Sequence, residues 1–220
     1  MICVVFITHV YETVFLVKES ETEMLRAEQL ERARTEAALQ ALKNQIDPHF
    51  IFNSLNTLSY LIEEQPAKAK LFNDSLADVY RYILQNKTRD LVLLQEEFDF
   101  LQDYFSLLKI RFEDALQLHV NIESILLDKY LVMPISLQVL MENATKHNEF
   151  SAGNPLVITI NFSEDSLVFY NEIRKKALRK PSSRIGLQNL DERYKLVTGK
   201  RITIEETANA FRVVLPVLKN

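Results

Sequence analysis

The chain has 220 residues, 47% apolar and 25% charged, and a net charge of −4. That is the composition of a globular protein with one large or two small domains, and its acidic balance argues against direct nucleic-acid binding. A single cysteine, Cys3, excludes an intramolecular disulfide and a cysteine-rich metal site, and three glycines (153, 186 and 199) are few for a phosphate-binding protein.

Residues 1–17, "MICVVFITHVYETVFLV", are apolar apart from His9, Tyr11 and Glu12. They fall short of the roughly 20 residues a spanning helix needs, and no small-residue cleavage site follows. Two readings stay open: the cytoplasmic end of a membrane helix, or a helix packed on a partner. The next stretch, "KESETEMLRAEQLERARTEAALQALKNQ", is charged, free of Gly and Pro, and strongly helical by propensity. It favours the first reading, a signalling helix leaving a membrane, and with it the cytoplasmic portion of a cytoplasmic-membrane protein. A solvated surface helix is the plain alternative.

Residues 18–113 read as long helices. Ile51, Leu55, Leu58 and Ile62 form one apolar stripe at spacings of 4, 3 and 4. His49, Asn53, Asn56 and Tyr60 repeat that spacing about 200° away around the helix. Pro48 stands in this helix-forming run, "QIDPHFIFNSLNTLSYLI", although proline inside a helix removes a donor and costs about 3 kcal/mol. A merely buried helix would avoid it. Pro66 begins a second helix carrying Leu76, Val79, Tyr80, Ile83 and Leu84, and a third carries the seam Leu94, Phe98, Leu101, Phe105, Leu108 and Phe112. Seams of this kind suggest a bundle completed by another subunit, a homodimer; a monomeric bundle is the alternative.

From about residue 115 the pattern changes. "LQLHVNIES" alternates as a strand does, and "PISLQVLMENATKHN" reads as a helix opened by Pro134. "PLVITINFS" and "DSLVFYNEI" form a predicted hairpin, followed by a basic loop and the helix "IGLQNLDERYKLVTG", closed by Gly199. "RITIEET" and "AFRVVLPVL" make a second hairpin. The order predicts an α/β sandwich with one antiparallel-rich sheet covered on one face. The whole is an α+β chain divided into an apolar segment 1–17, a helical domain 18–113 and a mixed domain 114–220.

Three constellations carry chemistry. His49 has Asn53 one turn away on the polar face, and a largely neutral imidazole is a competent nucleophile that an amide can orient. A structural histidine is the alternative. In "ENATKHN", Asn143, Lys146 and His147 lie at i, i+3 and i+4 with Glu142 adjacent. An asparagine oxygen suits Mg²⁺, Lys146 a phosphate, and Glu142 the polarising of a nucleophile or of a metal-bound water; a solvated polar face is the bland reading. The loop 174–184 holds six bases (Arg174, Lys175, Lys176, Arg179, Lys180 and Arg184), a flap over a triphosphate or a solvated loop. Gly186, opening a helix, is where backbone can approach a phosphate closely.

Together these residues resemble the LytS-type sensor histidine kinases. "QIDPHFIFNSLNTL" is similar to that family's phosphoacceptor signature, "LQVLMENATKHN" to its N-box, and "IGLQNLDERYKL" to the segment after its ATP lid, in matching order over roughly 40–218. The resemblance implies a dimerising phosphoacceptor domain followed by a Bergerat-type ATP-binding sandwich, with ATP and Mg²⁺ as cofactors. By resemblance His49 accepts the γ-phosphoryl group, Asn143 ligates Mg²⁺, Glu142, Lys146 and His147 serve the phosphates, and Gly186 and Leu187 end the lid. The implied partner is a response regulator, of the LytTR type, whose aspartate receives the phosphoryl group. Where the wider ATPase family carries an Asp-x-Gly-x-Gly loop reading adenine, this chain has "YNEIRKK", which leaves Asn171 as the candidate adenine contact. Arg184 replaces a usual glycine. These departures keep a second function open, a nucleotide-free pseudokinase that signals as a dimeric scaffold.

Overall fold

The computed structural model describes residues 15–26, 28–32, 48–86, 88–174 and 185–220, with only the backbone of Pro48, His49 and Ile185. These fall into two compact units that divide between Asn53 and Ser54. In the first unit, 15–26 and 28–32 are helical and exposed, with Arg32 and Glu28 paired across one turn at 2.7 Å. Most of the apolar segment 1–17 lies outside the described residues; Phe15, Leu16 and Val17 are helical and exposed. Among the described residues no helix is long and apolar enough to cross a membrane.

Helix α1 (Pro48–Glu64) is followed after Gln65 by α2 (Pro66–Asn86). Pro66 stands at the first helical position, where its missing N–H leaves no bond unmade. The second unit continues with β1 (Val92–Leu93), α3 (Leu94–Phe112), a 3₁₀ turn (Glu113–Ala115), β2 (Leu116–Asn121), the short α4 (Ser124–Leu127), β3 (Tyr130–Val132) and α5 (Ser136–His147). It ends with β4 (Leu156–Ser163), β5 (Ser166–Glu172), α6 (Ile185–Thr198), β6 (Thr203–Glu206), β7 (Ala210–Pro216) and β8 (Leu218–Lys219).

The main sheet runs β2-β4-β5-β7-β6 and is antiparallel except for the parallel pair β2–β4. Alternation decides its faces. Ile158, Ile160, Leu167, Phe169, Asn171, Val213 and Leu215 point to the buried side, while Thr159, Tyr170 and Arg212 between them are half-buried or exposed. Among the described residues, Leu137, Leu140, Met141 and Ala144 of α5 and Leu187, Leu190 and Tyr194 of α6 are the buried apolar helical residues of the sandwich. One face is covered, as the sequence predicts.

A second sheet, β1-β3-β8, is not evident from the sequence because its strands are two or three residues long. Pairing Val92 with Val132 and Leu93 with Leu131 sets the start of α3 beside the strand that leads into α5. Burial along the helices of the single chain is uneven. On α1 the buried positions are Ser54 and Leu61, while Leu55 and Ile62 of the expected stripe are 50% and 58% exposed. On α2, Leu76, Val79 and Ile83 are buried but Leu84 is exposed. Of the α3 seam, Leu94, Phe98, Leu101 and Leu108 are buried within the chain itself, while Phe105 and Phe112 are half-buried. Helix α5 begins at Ser136, two residues after Pro134, because Ile135 adopts φ 69° and ψ 6°.

Candidate functional site

Helix α5 divides into two faces. Leu137, Leu140, Met141 and Ala144 are buried, whereas Val139, Glu142, Asn143, Lys146 and His147 are half-buried or exposed at helical spacing. The sequence-predicted polar set therefore does share one side of a helix. Gly186, in the first turn of α6, lies against that side: a β-carbon there would sit 3.7 Å from Val139 Cγ1. Val139 is one turn before Asn143, so the start of α6 and the polar face of α5 adjoin. Leu187 is buried and anchors that start.

Asn171 belongs to the covered face of β5 and is wholly buried. Its Nδ2 donates to the Glu172 carbonyl at 2.7 Å, and its Oδ1 has no hydrogen-bond partner among the described residues. A buried acceptor left unmade costs about 1–3 kcal/mol, so this amide oxygen is a candidate to accept from a ligand. Asn148, at the end of α5, was not singled out from the sequence. Its Nδ2 donates to the Ala144 carbonyl at 2.9 Å and its Oδ1 accepts from the Arg174 N–H at 2.7 Å, which ties α5 to the chain leaving β5. The other five bases of the predicted flap lie outside the described residues. Arg174 is engaged elsewhere, donating to the Asn154 and Pro155 carbonyls at 3.1 and 2.9 Å. His49 is on the described backbone of α1 without a described side chain, and Asn53 one turn on is half-buried.

The largest omission from the sequence reading is Glu97. It is wholly buried on α3, where Oε1 accepts the Leu137 N–H at 2.9 Å and Oε2 accepts the Ile135 N–H at 2.9 Å and the Tyr82 hydroxyl at 2.8 Å. Burial pushes its carboxyl up to about 7, against the three hydrogen bonds and the Arg193 charge, which favour the ionised form. Burial also pushes the Tyr82 hydroxyl up, and the neighbouring Glu97 charge adds to it. On the far side, Ser136 Oγ donates to the Met133 carbonyl at 2.7 Å and lies 3.3 Å from the buried Tyr194 hydroxyl. A signal was there: in "LLQEEF" the second acid falls on the stripe continued by Phe100, Tyr104 and Leu107, where a charge is out of place unless it is satisfied.

Among the described residues, no three His, Cys, Asp or Glu side chains come together as a metal cage. Mg²⁺ does not require one, because one protein oxygen with phosphate and water oxygens completes its shell. The donors on α5 fit that chemistry.

The histidine kinase family model matches residues 37–116. Over 143 residues the chain is 34% identical to an uncharacterized sensor-like histidine kinase of Staphylococcus epidermidis, covering 64% of this chain and 27% of that protein. It is 27% identical over 223 residues to the sensor histidine kinase/phosphatase LytS of Staphylococcus aureus, covering 90% of this chain and 37% of that protein. Thus the chain spans only about a third of the length of these relatives. Among solved structures, the catalytic domain of the histidine kinase ThkA shows a distant likeness, with TM-score 0.39, 13% identity, and 57% of this chain and 93% of that domain covered. The matched region and these relatives show that the chain is similar to sensor histidine kinases, LytS among them.

Proposed function

We propose that this chain is the kinase portion of a two-component sensor. It binds Mg·ATP in the second unit, transfers the γ-phosphoryl group to His49, and passes it to an aspartate of a response regulator of the LytTR type. The observation that carries this reading is the adjacency on α5: Glu142, Asn143 and Lys146 share the side against which Gly186 lies. A helix start offers backbone N–H groups and a favourable dipole to phosphate, Lys146 supplies a mobile positive charge, and Asn143 offers Mg²⁺ an oxygen. The unpartnered Asn171 Oδ1 supports an adenine contact, since an amide oxygen can accept from an exocyclic amino group. Mg²⁺, when bound, would neutralise charge on the phosphates as the phosphoryl group leaves ADP.

In this reading the His49 imidazole attacks the γ-phosphorus, a P–N bond forms as the bond to the ADP oxygen breaks, and Asn53 orients the ring from one turn away. Glu142 serves to polarise the nucleophile. The chain acts as a homodimer, which the exposure of Leu55, Ile62 and Leu71 on α1 and α2 supports, and residues 1–17 hold it at the membrane. Nucleotide binding separates this reading from the scaffold. A non-hydrolysable ATP analogue should bind wild type in a Mg-dependent manner and bind Asn143→Ala at least about tenfold more weakly, a loss of about 1.4 kcal/mol. Absence of binding to wild type would make the chain a scaffold.

A further inference from the structure

Helix α5 carries the proposed nucleotide contacts, yet nothing in its own sequence caps it. The residue before it, Ile135, has no side-chain acceptor, and no cap hydrogen bond is made from it. The first N–H groups of a helix need partners from elsewhere. Here they come from another helix, through Glu97 on α3 to Ile135 and Leu137 at 2.9 Å each. Ile135 also occupies the left-handed region at φ 69°, which costs a β-branched residue roughly 1–2 kcal/mol. Glu97 holds the N–H of that same residue.

We propose that Glu97 is a positioning residue for the nucleotide site: its carboxylate fixes the start of the helix that bears Glu142, Asn143 and Lys146, and the Tyr82 hydroxyl couples that placement to α2. The inference rests on the nucleotide-site reading above. Its physical basis is the sharing of one oxygen. Glu97 Oε2 accepts both the Tyr82 hydroxyl from α2 and the Ile135 N–H from the α5 start. Tyr82 is itself held in direction by stacking on Phe100 of α3, with ring centroids 4.2 Å apart and planes 11° from parallel. A shift of α2 therefore changes the acceptor that sets Ile135, and the change reaches Asn143 two turns along a rigid helix. An ion is a poor way to add stability in a core, because burial costs several kcal/mol that a well-packed apolar group would not. Directional control of a helix start gives the buried carboxylate a role that an apolar side chain cannot fill. The route is also short in sequence, since α2 follows α1, the helix of His49, after a single residue.

The test measures the affinity of the full chain for a non-hydrolysable ATP analogue with Mg²⁺, at a temperature where thermal unfolding shows every variant folded. The variants are Glu97→Gln, Tyr82→Phe and the double variant. Glu97→Gln turns an amide N–H toward one of the two backbone donors, and affinity should fall about tenfold. Tyr82→Phe should lower it by roughly threefold, and the double variant should be no weaker than Glu97→Gln alone, because both changes act on one oxygen. A purely structural cap would lower the unfolding temperature and leave the folded protein at wild-type affinity, which would overturn the inference; so would strict additivity in the double variant. If Glu97→Gln does not fold, Tyr82→Phe decides, since it keeps the carboxylate and both backbone bonds, and unchanged affinity overturns the proposal. Failure of wild type to bind nucleotide would overturn the nucleotide-site reading and this inference together.

Discussion

Glu97 accepts the backbone N–H of Leu137 at 2.9 Å across 40 residues of chain, from a position with no solvent exposure. That bond ties the helical region of the second unit to its sheet region. The β1–β3 pairing brings the two segments alongside each other, and the carboxylate then sets where α5 begins.

The pH dependence of stability should carry the mark of this residue. Burial holds the Glu97 carboxyl at about 7 in the folded chain, above its ordinary 4.5. The folded chain thus keeps a proton that the unfolded chain has released between those values. The group's contribution is fully present below about pH 4.5 and is lost as pH rises to about 7. At 1.36 kcal/mol per unit the loss is about 3 kcal/mol. Urea unfolding of wild type and Glu97→Gln across pH 4.5–7.5 should show wild type losing that much relative to the variant. A constant difference would contradict the assignment.

Asn171→Leu should separate function from stability. The substitution removes one hydrogen bond, to the Glu172 carbonyl, together with a buried acceptor that has no partner. The two terms are of similar size, about 1 kcal/mol each way, so the unfolding free energy should change by less than about 1 kcal/mol. Nucleotide affinity should fall at least about tenfold. A large loss of stability with affinity intact, read from thermal unfolding and calorimetric titration, would remove Asn171 from the site.

Leu101 tests where the α3 seam belongs. It is wholly buried within one chain, so Leu101→Ala should cost about 2–5 kcal/mol, and Leu101→Glu should unfold the second unit outright. Sedimentation with circular dichroism distinguishes the outcomes. A folded monomer would show that the seam is a subunit interface after all.

Much of this architecture is legible in the sequence, for a physical reason. Strands β4, β5 and β7 alternate between buried and more exposed residues, with Ile158, Ile160, Leu167 and Phe169 all on one face, whereas the four residues of β6 are all exposed. Where alternation holds it fixes both strand type and orientation. The polar face of α5 is equally direct, because Asn143, Lys146 and His147 are set by helix spacing alone. The α1 stripe is legible but its cover is not: periodicity gives Ile51, Leu55, Leu58 and Ile62 as one face but says nothing of what covers it, and Leu55 and Ile62 are exposed in the single chain. Periodicity marks Glu97 as an acid on the buried stripe but cannot name its partners, which are backbone N–H groups of Ile135 and Leu137, 38 and 40 residues away. Pro134 suggests an earlier helix start for the same reason, since the cap that decides the start lies 38 residues upstream.

The most direct test of the account is phosphoryl transfer itself. The purified chain, wild type beside His49→Ala, is incubated with γ-labelled ATP and Mg²⁺. The account predicts acid-labile, base-stable label on wild type and none on His49→Ala, with both binding nucleotide equally. Label persisting on His49→Ala would place the acceptor elsewhere, and a wild type that binds Mg·ATP but never becomes labelled would contradict the assignment of this chain as a histidine kinase.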